Sequence, residues 1–244
     1  MRVVLFSTNT KHHVHFINAL APLCDIAAIF FEIDHLEKDY LTGPFFADEE
    51  DQFEDRFFDP AFGGMASTLD SALTARVRSV DRVNEPSVIE QTAKLAPDLG
   101  IAYGIGLAKP DLFTRPRFGT INVHRGIVQN YRGLDSEYWA IMDERFDKIG
   151  VTIHYMDATL DTGDILAQET VSIRAEDEIF HLRYKTGIVA TRLVCDLVRR
   201  FDAAGEALEG MPQDIPGPYF TAMSLEDKMK ALEKFEVYRK GLPA

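Results

Sequence analysis

Basic residues are in short supply: 26 Lys and Arg stand against 39 Asp and Glu, a formal net charge of −13. A chain that neutralises nucleic-acid phosphates or lies on an anionic membrane needs the opposite balance, so neither is expected as a partner. A few placed cations would still serve a small phosphorylated ligand. Cysteine is scarcer: only Cys24 and Cys195 occur, each inside an apolar run. That excludes a disulfide framework and zinc spacing, and reads as two buried thiols in a reducing compartment. No apolar run approaches the roughly 20 residues of a membrane span. The opening MRVVLFSTN lacks a signal-peptide shape, and a cytoplasmic location is the expectation. Glycine is missing where a dinucleotide site needs it. STNTKHHVH, after the first apolar run, contains none, so NAD and FAD are not expected.

What is present suffices for one buried core, with 244 residues of which 46% are hydrophobic. RVVLFS (2–7) reads as a strand covered on both faces. A helix from about Lys11 to Leu23 and a strand in CDIAAIFF complete a right-handed parallel βαβ unit. His12, His13 and His15 invite a metal. Two of them are adjacent and cannot share a helix face, and no Cys or carboxylate partner lies nearby, so no metal is expected. The plainer reading is a helix start at a strand's carboxyl edge, where α/β sheets open their clefts.

Residues 32–65 break the rhythm. FFADEEDQFEDRFFDP is acidic and aromatic together, and Phe45, Phe46, Phe53, Phe57 and Phe58 are too many for a disordered segment. An ordered insertion is expected, its Phe residues on the body and its acids in solvent; a plain structural role is favoured over a lid or subunit contact. SALTARV then reads as a short helix, RSVDRV as a strand, PSVIEQTAKLA as a helix opened by Pro86, and DLGIAYG as a buried strand. A long helix is expected over Glu176–Ala204, stopped by Gly205. From Met211 a Pro-rich stretch leads into a helix around LEDKMKALEKFEVY. The expected division is a main body, 1–210, and a C-terminal extension, 211–244.

The chemistry concentrates between Gly119 and Gln168. Ile121 and Val123 alternate with Asn122 and His124, so the polar pair shares one strand face. Tyr131-Arg132-Gly133 lies in the loop beyond. Asp135, Ser136 and Glu137 read as caps of the next helix, with Trp139 its core anchor. The strand GVTIHYM places Thr152 and His154 on one face. Leu160-Asp161-Thr162-Gly163-Asp164 then makes a turn with a carboxylate at its apex. An amide, an imidazole and a carboxylate brought together can manage charge and proton when an amine attacks an acyl group. The amide N–H meets the oxyanion, the imidazole takes the proton, and the carboxylate orients the imidazole.

This series resembles the formyltransferase family that uses 10-formyltetrahydrofolate. The carriers are Asn122-Val123-His124, Tyr131-Arg132-Gly133, Gly150-Val151-Thr152 and Leu160-Asp161-Thr162-Gly163, in the family's order. Where many members have Pro-Ser after the His, this chain has Arg125-Gly126. The resemblance implies a Rossmann-like, doubly wound α/β fold with a mostly parallel sheet. It implies Asn122, His124 and Asp161 as catalytic residues. Tyr103, Gly104, Ile105, Gly106 and Leu107, with Asp164, become candidates for the folate; Asn9, His13, Arg132 and Thr152 become candidates for the acceptor. The donor would be 10-formyltetrahydrofolate, with no metal.

HRGIVQNYRGLDSEYWAI is similar to the sugar enzymes of surface polysaccharide. The implied acceptor is therefore a nucleotide-linked amino sugar of lipopolysaccharide biosynthesis, and the implied assembly is compatible with a homodimer. The methionyl-tRNA members carry a further barrel domain for which this chain is too short. Two alternatives stand beside this reading. A formyltetrahydrofolate hydrolase is similar around the same trio but often carries a preceding regulatory domain, which this chain lacks. A non-catalytic binding module of the same fold is opposed by the intact trio.

Overall fold

Strand β1 (Arg2–Ser7) shows why the chain layers as it does. Val3 and Leu5 enter one apolar core while Val4 and Phe6 enter another, so the strand is covered on both faces. The computed structural model describes residues 1–33, 38–43, 47–61 and 68–243, without the side chains of 47 and 58–61. After β1 come α1 (Lys11–Leu20), β2 (Asp25–Glu32), α2 (Ala47–Ala61), a 3₁₀ turn (Ser71–Arg76), β3 (Val77–Val80), α3 (Pro86–Leu95), β4 (Leu99–Tyr103) and α4 (Pro110–Phe113). Then follow β5 (Thr120–His124), β6 (Arg132–Gly133), α5 (Ser136–Met142), β7 (Gly150–Tyr155), β8 (Ile165–Thr170), α6 (His181–Ala204), β9 (Tyr219–Phe220) and α7 (Leu225–Lys240).

The seven-stranded sheet has the order β3-β2-β1-β4-β5-β7-β8. Pairings from β3 through to β5 are parallel, and β7 and β8 add antiparallel. This is the doubly wound, mostly parallel α/β sheet expected. The order reverses between β1 and β4, so the chain leaves their carboxyl ends in opposite directions and a crevice opens there. One face is closed by α1 and α6, with Phe16, Ile17, Val194 and Phe201 in its core. The other is closed by α3 and α4 through Val88 and Leu112. A third cluster joins α5 to α7 through Ile141, Ile149, Met223 and Phe235.

Boundaries differ from the sequence expectation for local reasons. Helix α6 begins at His181, five residues late. Before it, the Asp177 carboxylate accepts from the Arg174 N–H at 2.7 Å and fixes a turn that a helix would undo. Its end is as expected: Gly205 takes a φ of 66° and its N–H returns to the Phe201 carbonyl. In the 32–65 segment, Glu32 closes β2. Phe53 and Phe57 pack on α6, with ring centroids 4.1 Å from His181 and 3.8 Å from Tyr184. Phe45, Phe46 and the Phe58 side chain lie outside the described residues. The acids do not all face solvent, because Glu50 and Glu54 are buried. They turn inward because Arg183 on α6 offers its guanidinium at 3.0 Å to Glu50 and 3.7 Å to Glu54.

Phe235 is fully buried in the third cluster. Phe235→Ala is expected to cost about 3–5 kcal/mol and to lower the denaturant midpoint of a single unfolding transition. An unchanged midpoint would show that α7 unfolds apart from the sheet.

Candidate active site

The antiparallel register of β5 with β7 sets Asn122 opposite His154 and His124 opposite Thr152. Residues facing each other across such a pair share a side of the sheet, so Asn122 and His154 become neighbours at the crevice. The carboxylate arrives from the turn after β7. Asp161 has a left-handed backbone, φ 55°. Two residues on, a Cβ on Gly163 would stand 1.9 Å from the Tyr155 carbonyl oxygen, so the turn can close only on glycine.

The side chains then converge. Asn122 Nδ2 donates to Asp161 Oδ1 at 3.1 Å and lies 3.3 Å from His154 Nε2. Asp161 Oδ2 accepts from the Gly133 N–H at 2.9 Å and stands 3.5 Å from His124 Nδ1. His154 Nε2 is 3.4 Å from Asp161 Oδ1. His124 Nε2 lies 2.8 Å from the Tyr131 carbonyl oxygen and 3.2 Å from Ser136 Oγ. A carbonyl only accepts, so Nε2 carries the proton. The neutral ring therefore presents the Nδ1 lone pair to Asp161, and one added proton there satisfies both groups. The pair titrates as a unit.

The charges follow from burial and neighbours. Burial pushes Asp161 up, but His124, His154 and the Gly133 N–H outweigh it and hold the carboxyl well below the usual range. Burial lowers His124 beneath its ordinary value, against the pull of Asp161. The result is an ionised carboxylate beside a neutral imidazole, the state a proton acceptor needs.

The trio borders a cavity of about 550 Å³. Tyr103, Gly104, Ile105, Gly106 and Leu107 form one wall, where the Gly106 N–H is held by Glu32 at 2.7 Å. His13 lines the same side, its ring edge-on to Tyr103 at 4.3 Å. Asn9 does not, although Thr8 and Thr10 on either side of it do. Arg132 is turned to the Gly217 and Leu160 carbonyls and ties down its loop. Thr152 is buried and donates to the Gly126 carbonyl at 2.6 Å. Asp164 is exposed and off the cavity.

The capping expectation for α5 fails. Asp135 is left-handed (φ 54°) and makes no side-chain cap. That backbone turns its carboxylate away from the helix, to the Met223 N–H and to Lys228. Ser136 reaches His124, and Glu137 is buried 3.5 Å from Arg125. Arg125, Glu137, Tyr138, Glu50 and Arg183 all line the cavity, and sequence reasoning assigned none of them to it. The one local signal was Arg125-Gly126 after the His; the others are joined only by the fold. Trp139 is partly buried against the third cluster, its indole N–H on the Thr221 carbonyl. Among the described residues no three His, Cys, Asp or Glu could hold a metal ion, and no helix is long and apolar enough to cross a membrane.

A family model described as formyl transferase matches residues 60–195. The methionyl-tRNA formyltransferase of Chlorobium chlorochromatii is 30% identical over 143 residues, 59% of this chain and 45% of that one. The chain thus spans about half the length of the curated relatives it matches. A sugar N-formyltransferase from a Shewanella species superposes with a TM-score of 0.63 at 15% identity, covering 96% of this chain and 87% of the other. The formyltransferase PseJ from Anoxybacillus kamchatkensis, solved with a UDP-linked formamido sugar and tetrahydrofolate, gives 0.54 at 21%, covering 96% and 90%. At these identities the two structures show the fold alone.

Burial lowers His12 and His13 well below their ordinary value, as it lowers His124. A folded pKa beneath the unfolded 6.5 favours the neutral ring, so the unfolded chain binds more protons in acid. The stability these rings contribute is present above about pH 6.5 and is lost as the pH falls through the folded values, by at most about 1.4 kcal/mol per pH unit for each ring. The unfolding midpoint should fall between pH 7 and pH 5, and less steeply in His12→Gln. A flat profile in the parent protein would contradict the buried neutral rings.

Proposed function

Because the chain belongs to the formyl transferase family, we propose that it moves a formyl group from 10-formyltetrahydrofolate to the amine of a small acceptor. The acceptor class we assign is a nucleotide-linked amino sugar of surface-polysaccharide biosynthesis. The observation that carries the reading is the convergence of Asn122, His124 and Asp161, within 3.1 to 3.5 Å, at the wall of one cavity. Support for a sugar acceptor comes from the likeness of the HRGIVQNYRGLDSEYWAI stretch to sugar enzymes and from a fold shared with two of them.

The residues fit a folate donor. The Tyr103–Leu107 main chain lines the cavity and offers a flat ring a wall, and Leu107 at its rim is 55% exposed. The cavity volume falls in the range of small-molecule sites. When bound, the folate supplies the formyl carbon. Asn122 Nδ2, whose contact with His154 is the longer of its two, turns an N–H to the formyl oxygen as negative charge builds there. The His124–Asp161 pair takes the amine's proton at Nδ1, and the imidazolium so formed faces an ionised partner. The same proton returns to the departing folate nitrogen. Gly133 and His154 hold Asp161 in place throughout.

Asn122→Ala, His124→Ala and Asp161→Ala should each lower kcat by roughly 10²- to 10⁴-fold with a much smaller change in KM. The groups act in one step, so the double variant of His124 and Asp161 should be little worse than either single one. The assay runs with and without amine. Steady deformylation without amine would point to a hydrolase, and no turnover despite folate binding to a binding module. Near-normal formylation by His124→Ala would overturn the assignment.

A further inference from the structure

Buried polar side-chain atoms normally find a partner, and leaving one unmade is expensive. Among the described residues, His13 Nε2, Tyr103 Oη and Arg125 Nη1 are buried without a hydrogen-bond partner. All three residues line the same cavity. A fourth such atom, Glu54 Oε1, stands 3.6 Å from His12 Nδ1, on another residue of that wall. The grouping has a topological cause. Tyr103 ends β4 opposite Val123 of β5, Arg125 leaves β5 directly after His124, and the His13 ring meets Tyr103 edge-on at 4.3 Å.

The three atoms share a character. Arg125 only donates. Burial pushes the Tyr103 phenol up to about 12, so it keeps its proton. His13 Nδ1 lies 2.9 Å from Thr8 Oγ1 and 2.8 Å from Thr10 Oγ1, and with one of those hydroxyls donating to its single lone pair the neutral ring carries its proton on Nε2. Three donors on one wall call for oxygen acceptors.

Charge then selects among oxygens. Arg125 already faces Glu137 at 3.5 Å, and Arg183 already faces Glu50 and Glu54. A carboxylate or phosphate bound here would be a surplus anion among three acids, taken out of water beside two guanidiniums that are already paired. A carbonyl gains the same donors without that penalty. We infer that Arg125, Tyr103 and His13 form a specificity subsite for a neutral carbonyl, such as an amide, carried by the amine-bearing acceptor, and that the subsite rejects an anion. The inference rests on reading the cavity as the acceptor site.

Three primary amines test it: N-acetylethylenediamine, β-alanine and O-phosphoethanolamine, carrying an amide, a carboxylate and a phosphate. Each is titrated into the ¹⁵N-labelled full chain while the Gly104, Arg125 and Glu137 amide signals are followed. The amide probe should saturate those shifts with a Kd at least about tenfold below the other two. Tyr103→Phe keeps the ring and its packing but removes the hydroxyl, and should weaken the amide probe about three- to tenfold. Arg125→Ala should weaken it further. Equal or tighter binding of either anionic probe, no saturable shift with the amide, or an indifferent Tyr103→Phe would each overturn the subsite. Binding is read here without turnover. A chain that holds the amide probe yet formylates no amine keeps the subsite and loses formyl transfer. One that formylates β-alanine in preference keeps the transfer and loses the subsite.

Discussion

The Asp161 carboxylate is the tie on which the site depends. It is one-tenth exposed, yet ionised, because four groups converge on it: the Asn122 amide, the Gly133 N–H and two imidazoles. They come from three separate pieces of chain. β5 brings the amide and one ring, β7 the other ring, and the 131–133 loop the main-chain donor. An isolated buried carboxylate would protonate rather than pay for its desolvation. Its ionisation therefore requires all these segments to be in place at once. The left-handed turn that delivers it is held by Gln213 as well, which donates to the Asp161 and Gly163 carbonyls.

That last contact explains why the 211–244 stretch matters to a site it does not line with catalytic groups. Beyond Gln213, β9 pairs with β6, and the Met223 N–H and Lys228 take the Asp135 carboxylate. The loop bearing Gly133 is thereby fixed from both sides. Arg132, read from sequence as a substrate contact, bonds two carbonyls of the same assembly. A guanidinium fork is well suited to that work.

The fold was largely legible because its signals are local. Continuous apolar runs in RVVLFS and DLGIAYG, Pro86 at a helix start and Gly205 at a helix end each report on a few neighbouring residues. Asn122, His124 and Asp161 were legible for another reason: strand parity and turn chemistry put them on one face, and the motif series gave the pairing. The far wall was not legible. Arg125 and Glu137 lie in one short stretch but join only across the loop before α5, and Glu50 meets Arg183 only after α2 and α6 have docked around the crevice.

Helix α2 shows why such partners are misread. Its sequence presents seven acids and three Phe residues in one amphipathic run, and an acidic helix face is ordinarily a solvated one. Glu50 and Glu54 are one turn apart, on the stripe that carries Phe53 and Phe57 against α6. Once the aromatic rings seat, the two carboxylates on their flank must enter the interface. There a cation is obligatory, and Arg183 supplies it. The same seating brings Glu50 to the cavity and leaves Arg183 no charge to spare. An insertion with fewer acids would have left that guanidinium open to an anion. The helix that looks like solvent-facing decoration in the sequence thus sets the charge of the wall opposite the trio.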